Sequence, residues 1–170
     1  MLNWMFTLMI SANLNAAEPD ARGFVVRVGD VAPVSEYKLI DGRTLTKSDL
    51  AGKVVVLQFT ASWCSVCRKE MPHLEKQVWQ RFKDRDFVLI GVDRDEAPGV
   101  VKKFAKDMGV SYPMALDPGA EIFAKFASKE SGVTRNVLID RQGKINFLTR
   151  LFDEKEFQEM IERIDSLSKK

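Results

Sequence analysis

Val54–Phe59 (VVVLQF) is a nearly continuous apolar run, preceded by Ala51-Gly52-Lys53. A strand of that composition cannot leave one face in water, so it belongs at the centre of a sheet covered on both sides. Phe87–Val92 (FVLIGV) repeats the pattern. Between the two runs the period changes. Leu74, Val78 and Phe82 recur every fourth residue among Arg, Lys, Glu and Gln, which marks an amphipathic helix over 64–82. Two buried strands joined through a helix form a βαβ unit, parallel and right-handed. Pro72 falls inside that helix and should kink it, because it lacks the N–H and its ring crowds the preceding turn.

The remaining elements arrange themselves around this unit. Phe24–Val28 (FVVRV) reads as a short strand, and Tyr37–Ile40 and Arg43–Leu45 flank Asp41-Gly42 as a tight hairpin. Val100, Val101, Phe104 and Met108 mark a second helix ending near Gly109, and Ile122, Phe123 and Phe126 a third after Asp117-Pro118-Gly119. Val137–Ile139 and Ile145–Leu148 form a closing hairpin, and Phe157, Met160, Ile161 and Ile164 the stripe of a C-terminal helix. The closing hairpin adds antiparallel strands, so the sheet is mixed and sandwiched by helices. Phe82, Phe87, Phe104, Phe123, Phe126 and Phe157 fall at periodic positions and are assigned to the core. No internal linker breaks 23–168, which is read as one domain.

Composition removes several functions. The 26 Lys and Arg nearly cancel the 24 Asp and Glu, and no basic run exceeds two residues, so nucleic acid is not expected as a partner. The first seventeen residues, MLNWMFTLMISANLNAA, hold a short apolar run followed by small residues, the form of a cleaved export signal; a disordered N-terminal tail is the alternative. No stretch is apolar enough to span a bilayer, so the mature chain is expected to be soluble and monomeric.

The chain has two cysteines and one histidine. Cys64, Cys67 and His73 make three zinc ligands at most, so neither a metal nor another cofactor is expected. Closing so small a loop would stabilise the fold only weakly as a structural disulfide. Position supplies a better account. Trp63-Cys64-Ser65-Val66-Cys67 follows a buried strand and opens a helix. At a helix N-terminus the unpaired N–H groups and the macrodipole favour a thiolate, the form that attacks a disulfide. Cys67 lies one turn on along the same face, within reach to close an intramolecular disulfide and release a mixed one. His73 is read as helix surface, not as a catalytic base.

KVVVLQFTASWCSVCRKEMP, from Lys53 to Pro72, resembles the active-site strand and helix of the TlpA/ResA-like thioredoxin family. Val28–Pro33 and Asp41-Gly42-Arg43 resemble that family's N-terminal extension, and Val137–Ile145 its last hairpin. The likeness covers about 23–167. It implies a thioredoxin-like three-layer α/β/α sandwich with a mixed sheet and an N-terminal hairpin. It implies Cys64 as nucleophile, Cys67 as resolving thiol, Trp63 as an aromatic shield, and Pro72 as part of the motif. Glu70 matches an acidic position near the family's cysteines, against the alternative of a solvated helix carboxylate. The implied setting is the bacterial periplasm or another exported location, with the cytoplasm as alternative. The implied partners are disulfides of exported proteins and a membrane thiol–disulfide electron donor.

Two positions depart from the pattern. The buried Asp common in thioredoxins six residues before the first Cys is Gln58, which cannot ionise, so a proton from Cys67 must go to another carboxylate or water. The family's cis-proline position is Thr134, and a cis bond there would cost roughly 3 kcal/mol, so a trans bond is expected. Arg135 next to it suggests a second reading, since peroxiredoxins place an Arg near their reactive Cys. Against it, Thr60 stands four residues before Cys64, out of register with Thr-x-x-Cys. A thiol peroxidase and a non-catalytic binding module thus remain the alternatives to a thiol–disulfide oxidoreductase.

Overall fold

A computed structural model describes residues 18–33 and 36–169; the expected export segment, 1–17, lies outside the described residues. The first elements are β1 (Tyr37–Lys38) and β2 (Thr44–Leu45), antiparallel across a turn where Gly42 takes φ +91°. A single helical turn, α1 (Lys47–Leu50), follows, and the Asp49 carboxylate accepts the Thr46 N–H at 2.8 Å. Then come β3 (Val54–Thr60), α2 (Ser65–His73), a π-helical turn (Leu74–Trp79) and the short α3 (Gln80–Phe82). β4 (Phe87–Arg94), α4 (Pro98–Met108) and β5 (Met114–Asp117) complete the parallel part. The chain ends with β6 (Arg135–Ile139), β7 (Ile145–Arg150) and α5 (Glu154–Ser168).

The five-stranded sheet has the order β5-β4-β3-β6-β7, with β3, β4 and β5 parallel and β6 and β7 antiparallel to their neighbours. All seven residues of β3 are buried, as its composition requires. Alternation divides its side chains. Val54 and Val56 pack with Met71, Leu74, Val78, Phe82, Phe104 and the α5 stripe, whereas Val55, Leu57 and Phe59 pack with Phe24, Phe123 and Phe126. The N-terminal hairpin lies along β5, joined by a bridge between Leu39 and Ala115, and covers that edge.

Two local expectations need correction. Phe24–Val28 is not a strand: Gly23 and Gly29 both have positive φ, and only Phe24 makes a bridge, to Ala127. A Cβ at Gly23 would come within 2.9 Å of the Arg135 guanidinium, so the close approach itself demands glycine. The helix expected around Ile122–Phe126 is reduced to two 3-10 turns, Pro118–Ala120 and Phe123–Lys125. The Asp117 carboxylate takes the N–H groups of Ile122 (2.7 Å) and Phe123 (2.8 Å), which fixes a single turn and leaves no length to extend it. A further strand, β5, has no sequence signal, because Met114-Ala115-Leu116 carries neither alternation nor β-branched residues; its burial comes from its neighbours. Pro72 sits within α2, and the helix widens to the π form two residues later. Without a proline N–H the usual i−4 bond is lost there, a known cause of such irregularity.

Candidate active site

β3 is the central strand of the sheet, and four residues separate its end from the start of α2. Cys64 is the N-cap of α2: its backbone is extended and its Sγ accepts the Cys67 N–H at 3.2 Å. Sulfur thus takes the place that a capping oxygen usually fills. Cys64 and Cys67 are joined in a disulfide, with Cα atoms 5.3 Å apart. Their exposure differs. Cys64 retains 9% of its surface and Cys67 none, so of the two residues only Cys64 borders solvent.

Thr134, immediately before β6, faces both. Its Oγ1 lies 3.0 Å from the Cys64 sulfur and 3.2 Å from that of Cys67. Disulfide sulfurs carry no proton, so the hydroxyl donates to them. The Thr134 carbonyl accepts the Leu151 N–H, and no peptide bond among the described residues is cis. Trp63 projects from the turn with 66% of its surface exposed. It lines a polar cleft with Arg94, Asp95, Lys129 and Gly132.

Glu70, one turn beyond Cys67 on the buried side of α2, is 1% exposed, which settles its surroundings against a solvated carboxylate. Gln58 and Asn136 stand opposite one another on β3 and β6 and hold it like a fork. Asn136 Nδ2 donates to Oε1 at 2.6 Å and Gln58 Nε2 to Oε2 at 3.3 Å. Tyr112 donates to Gln58 Oε1 at 2.8 Å, and Asn136 Nδ2 also donates to Thr149 Oγ1 at 2.9 Å. Burial pushes the Glu70 pKa up, and the two amides only partly oppose it, leaving it at about 7. A carboxyl lifted toward neutrality by burial therefore lies on the buried side of the cysteine helix. Sequence reasoning missed Asn136, Tyr112 and Thr149. It read Gln58 only as a lost acid, although Gln58 is one of the groups that hold the replacement.

Arg135 is buried, its Nε donating to the Gly132 carbonyl at 3.0 Å and its guanidinium over the Phe24 ring at 4.5 Å. Burial first, then the Arg150 charge, lowers its pKa to about 10, so it stays cationic at neutral pH. No hydrogen bond among the described residues joins it to either sulfur. His73 is exposed at the end of α2, its ring 5.0 Å from that of Phe152.

The AhpC/TSA family profile matches residues 28–148. ResA of Bacillus anthracis, a thiol-disulfide oxidoreductase, is 31% identical over 71% of this chain and 68% of its own; ResA of Bacillus subtilis is 31% identical over 69% and 64%. A solved structure from Bacteroides thetaiotaomicron, described as a protein disulfide isomerase, superposes with a TM-score of 0.84 at 56% identity, covering 87% of this chain and 94% of that one. A Chlorobium tepidum structure described as the thiol:disulfide interchange protein DsbE gives 0.72 at 27% identity, over 85% and 99%. A dithiol at the head of a helix, set in this fold and among these relatives, has one consistent reading: the chain belongs to the AhpC/TSA family and is a thiol–disulfide oxidoreductase.

Proposed function

We propose that Cys64 is the nucleophile and Cys67 the resolving thiol of an exported oxidoreductase that reduces or exchanges disulfides in other exported proteins. The observation that carries the assignment of roles is the unequal exposure of the two cysteine residues at one helix start. In the reduced protein, the Cys64 thiolate attacks one sulfur of a substrate disulfide. A mixed disulfide forms and the other substrate sulfur leaves as a thiolate. Cys67, deprotonated, then attacks Cys64 Sγ; the Cys64–Cys67 bond forms and the second substrate thiolate departs. Two electrons have passed to the substrate, and a membrane dithiol donor returns them.

Glu70 supports the second attack. It lies on the same helix one turn from Cys67, and at a pKa of about 7 it takes up a proton at neutral pH and returns it readily. Thr134 supplies a hydroxyl to whichever sulfur carries charge. The exposed Trp63 and its cleft offer the surface on which a polypeptide lies. Export rests on the apolar run and small residues of 1–17.

The test is reduction of insulin disulfides by the purified protein with a dithiol donor, in wild type, Cys64→Ser and Cys67→Ser. Cys64→Ser should be inactive, and Cys67→Ser should accumulate a mixed disulfide with substrate. Activity that survives Cys64→Ser would overturn the assignment. Rapid peroxide consumption with no insulin reduction would replace it by a thiol peroxidase.

A further inference from the structure

A second buried carboxyl, on β4 and not on α2, sits in a different environment. Asp93, on β4 beside Thr60 of β3, has no exposed surface, and among the described residues neither of its oxygens meets a hydrogen-bond donor. Its neighbour is another acid: Glu96, three residues on, lies near enough for its charge to disfavour an Asp93 carboxylate. Glu96 is itself engaged: Oε2 accepts the Ser62 N–H at 2.5 Å and Oε1 the Ser62 hydroxyl at 2.6 Å. Two bare carboxylates this close repel, and a buried carboxylate without donors pays its full desolvation. One proton relieves both, provided Asp93 carries it and donates it to Glu96.

The chain is bent to bring the two acids together. Asp95 takes φ +62°, its N–H donates to the Asp117 carbonyl at 3.0 Å, and its Oδ1 accepts the Gly119 N–H at 2.8 Å. That turn brings Glu96 back over the strand ends to Ser62, two residues before Cys64. The Ser62 carbonyl accepts Arg68 Nε at 2.8 Å, so the turn is tied from both sides.

We propose that Asp93 and Glu96 share one proton, and that this proton fastens the Ser62 turn from which Cys64 is presented, making Asp93 a positioning residue for thiol–disulfide exchange. The inference rests on the dithiol reading above. Losing the proton leaves two neighbouring anions; Glu96 relieves the repulsion by releasing Ser62, and the presentation of Cys64 loosens. The groups around Asp93 agree with this. Glu96 faces it from the turn after β4, and Asp117 adds a negative charge from the end of β5. Thr60 on β3 turns its hydroxyl to Met71 Sδ of α2, and the first turn of α4, Pro98–Val101, holds no charge. Burial first, then Glu96, keeps the Asp93 proton up to about pH 8.

Infrared difference spectra of the full chain with isotope-labelled aspartate should show a protonated side-chain carboxyl at neutral pH. The band should vanish as pH passes about 8 and be missing in Asp93→Asn. The second measurement is the rate of Cys64 alkylation in the reduced protein against pH. The amide of Asp93→Asn still donates to Glu96 but cannot ionise. The ratio of its rate to wild type should therefore rise about threefold between about pH 7 and about pH 9.5, where a purely structural role gives a constant ratio. Asp86→Asn, at a half-exposed carboxyl paired with Arg141 before β4, should keep the wild-type band and a flat ratio. Glu96→Gln, needed if Asp93→Asn does not fold, gives Asp93 a donor, lets it ionise, and removes the band at neutral pH. A band that persists in Asp93→Asn, or a flat ratio, overturns the proposal. Neither readout needs a protein substrate, so a chain that failed to reduce insulin would refute the dithiol reading separately.

Discussion

Glu70 on α2 and Asp93 on β4 are both carboxylic acids almost without surface, and the fold surrounds them differently. Glu70 receives two amide N–H groups from facing positions of β3 and β6. Asp93 receives none from the described residues and has an acid for a neighbour. Burial raises the pKa of each, to about 7 and about 8, but only at Glu70 do hydrogen bonds push back. The contrast teaches that burial alone does not define a carboxyl's role. Donors make Glu70 able to exchange a proton near neutrality, and their absence makes Asp93 a group that keeps one.

The largest expected effect breaks the Glu70 half. Asn136→Leu removes the 2.6 Å donor and leaves only the 3.3 Å contact to Gln58. At about pH 8, where Glu70 is mostly charged, it should cost about 3 kcal/mol in urea unfolding, because a buried charge loses its main partner. At about pH 5 the carboxyl is protonated and the cost should shrink to about 1 kcal/mol. An equal cost at both pH values would show that Asn136 supports packing and not the charge.

The next effect sets the two acids side by side. Both folded-state pKa values lie above the ordinary carboxylate values of 4.5 and 3.8. The native chain therefore holds more protons than the unfolded chain at intermediate pH. This stabilisation is complete below about pH 4 and is lost as pH rises through about 7 for Glu70 and about 8 for Asp93, on the order of a few kcal/mol each. Glu70→Gln should remove the part of the decline that ends near pH 7, and Asp93→Asn the part that runs on to about pH 8, as read from unfolding curves between about pH 5 and about pH 9. Asp93→Asn should be more stable than wild type at the alkaline end. If it is less stable there, Asp93 is not the proton-bearing member.

Much of this frame could be read in the sequence, and the reasons it stops are physical. VVVLQF and FVLIGV announced two buried parallel strands because continuous apolar runs have few other places to go. Trp63-Cys64-Ser65-Val66-Cys67 announced the dithiol because a helix start after such a strand favours a thiolate. Glu70 was half legible: it continues the Leu74, Val78, Phe82 spacing one step back, and so sits on the buried stripe. Its partners were not legible. Gln58 and Asn136 are 78 residues apart and become a fork only through the β3–β6 register. Ser62 and Glu96 are likewise joined by a turn whose positive φ at Asp95 leaves no pattern in composition. Local signals gave strands and the helix cap; polar pairs made by strand register did not show.

The smallest expected effect sharpens the comparison by touching neither acid. Tyr112 donates to Gln58 Oε1 and so orients the amide that faces Glu70. Burial, with the Glu70 charge adding to it, holds its phenol pKa well above the ordinary value, so it remains a donor throughout the pH range considered. Tyr112→Phe keeps the ring and removes the hydroxyl. Gln58 is then free to turn over and present its oxygen toward Glu70, which disfavours the carboxylate. The stability cost should be about 1 kcal/mol, larger above pH 7 than below it, with the Glu70 component of the pH profile moved upward. The Asp93 component should stay where it is, because no hydrogen bond links that acid to Gln58 or Tyr112. A shift in both components would mean that the two carboxyls titrate as one coupled group and not as two separately built sites.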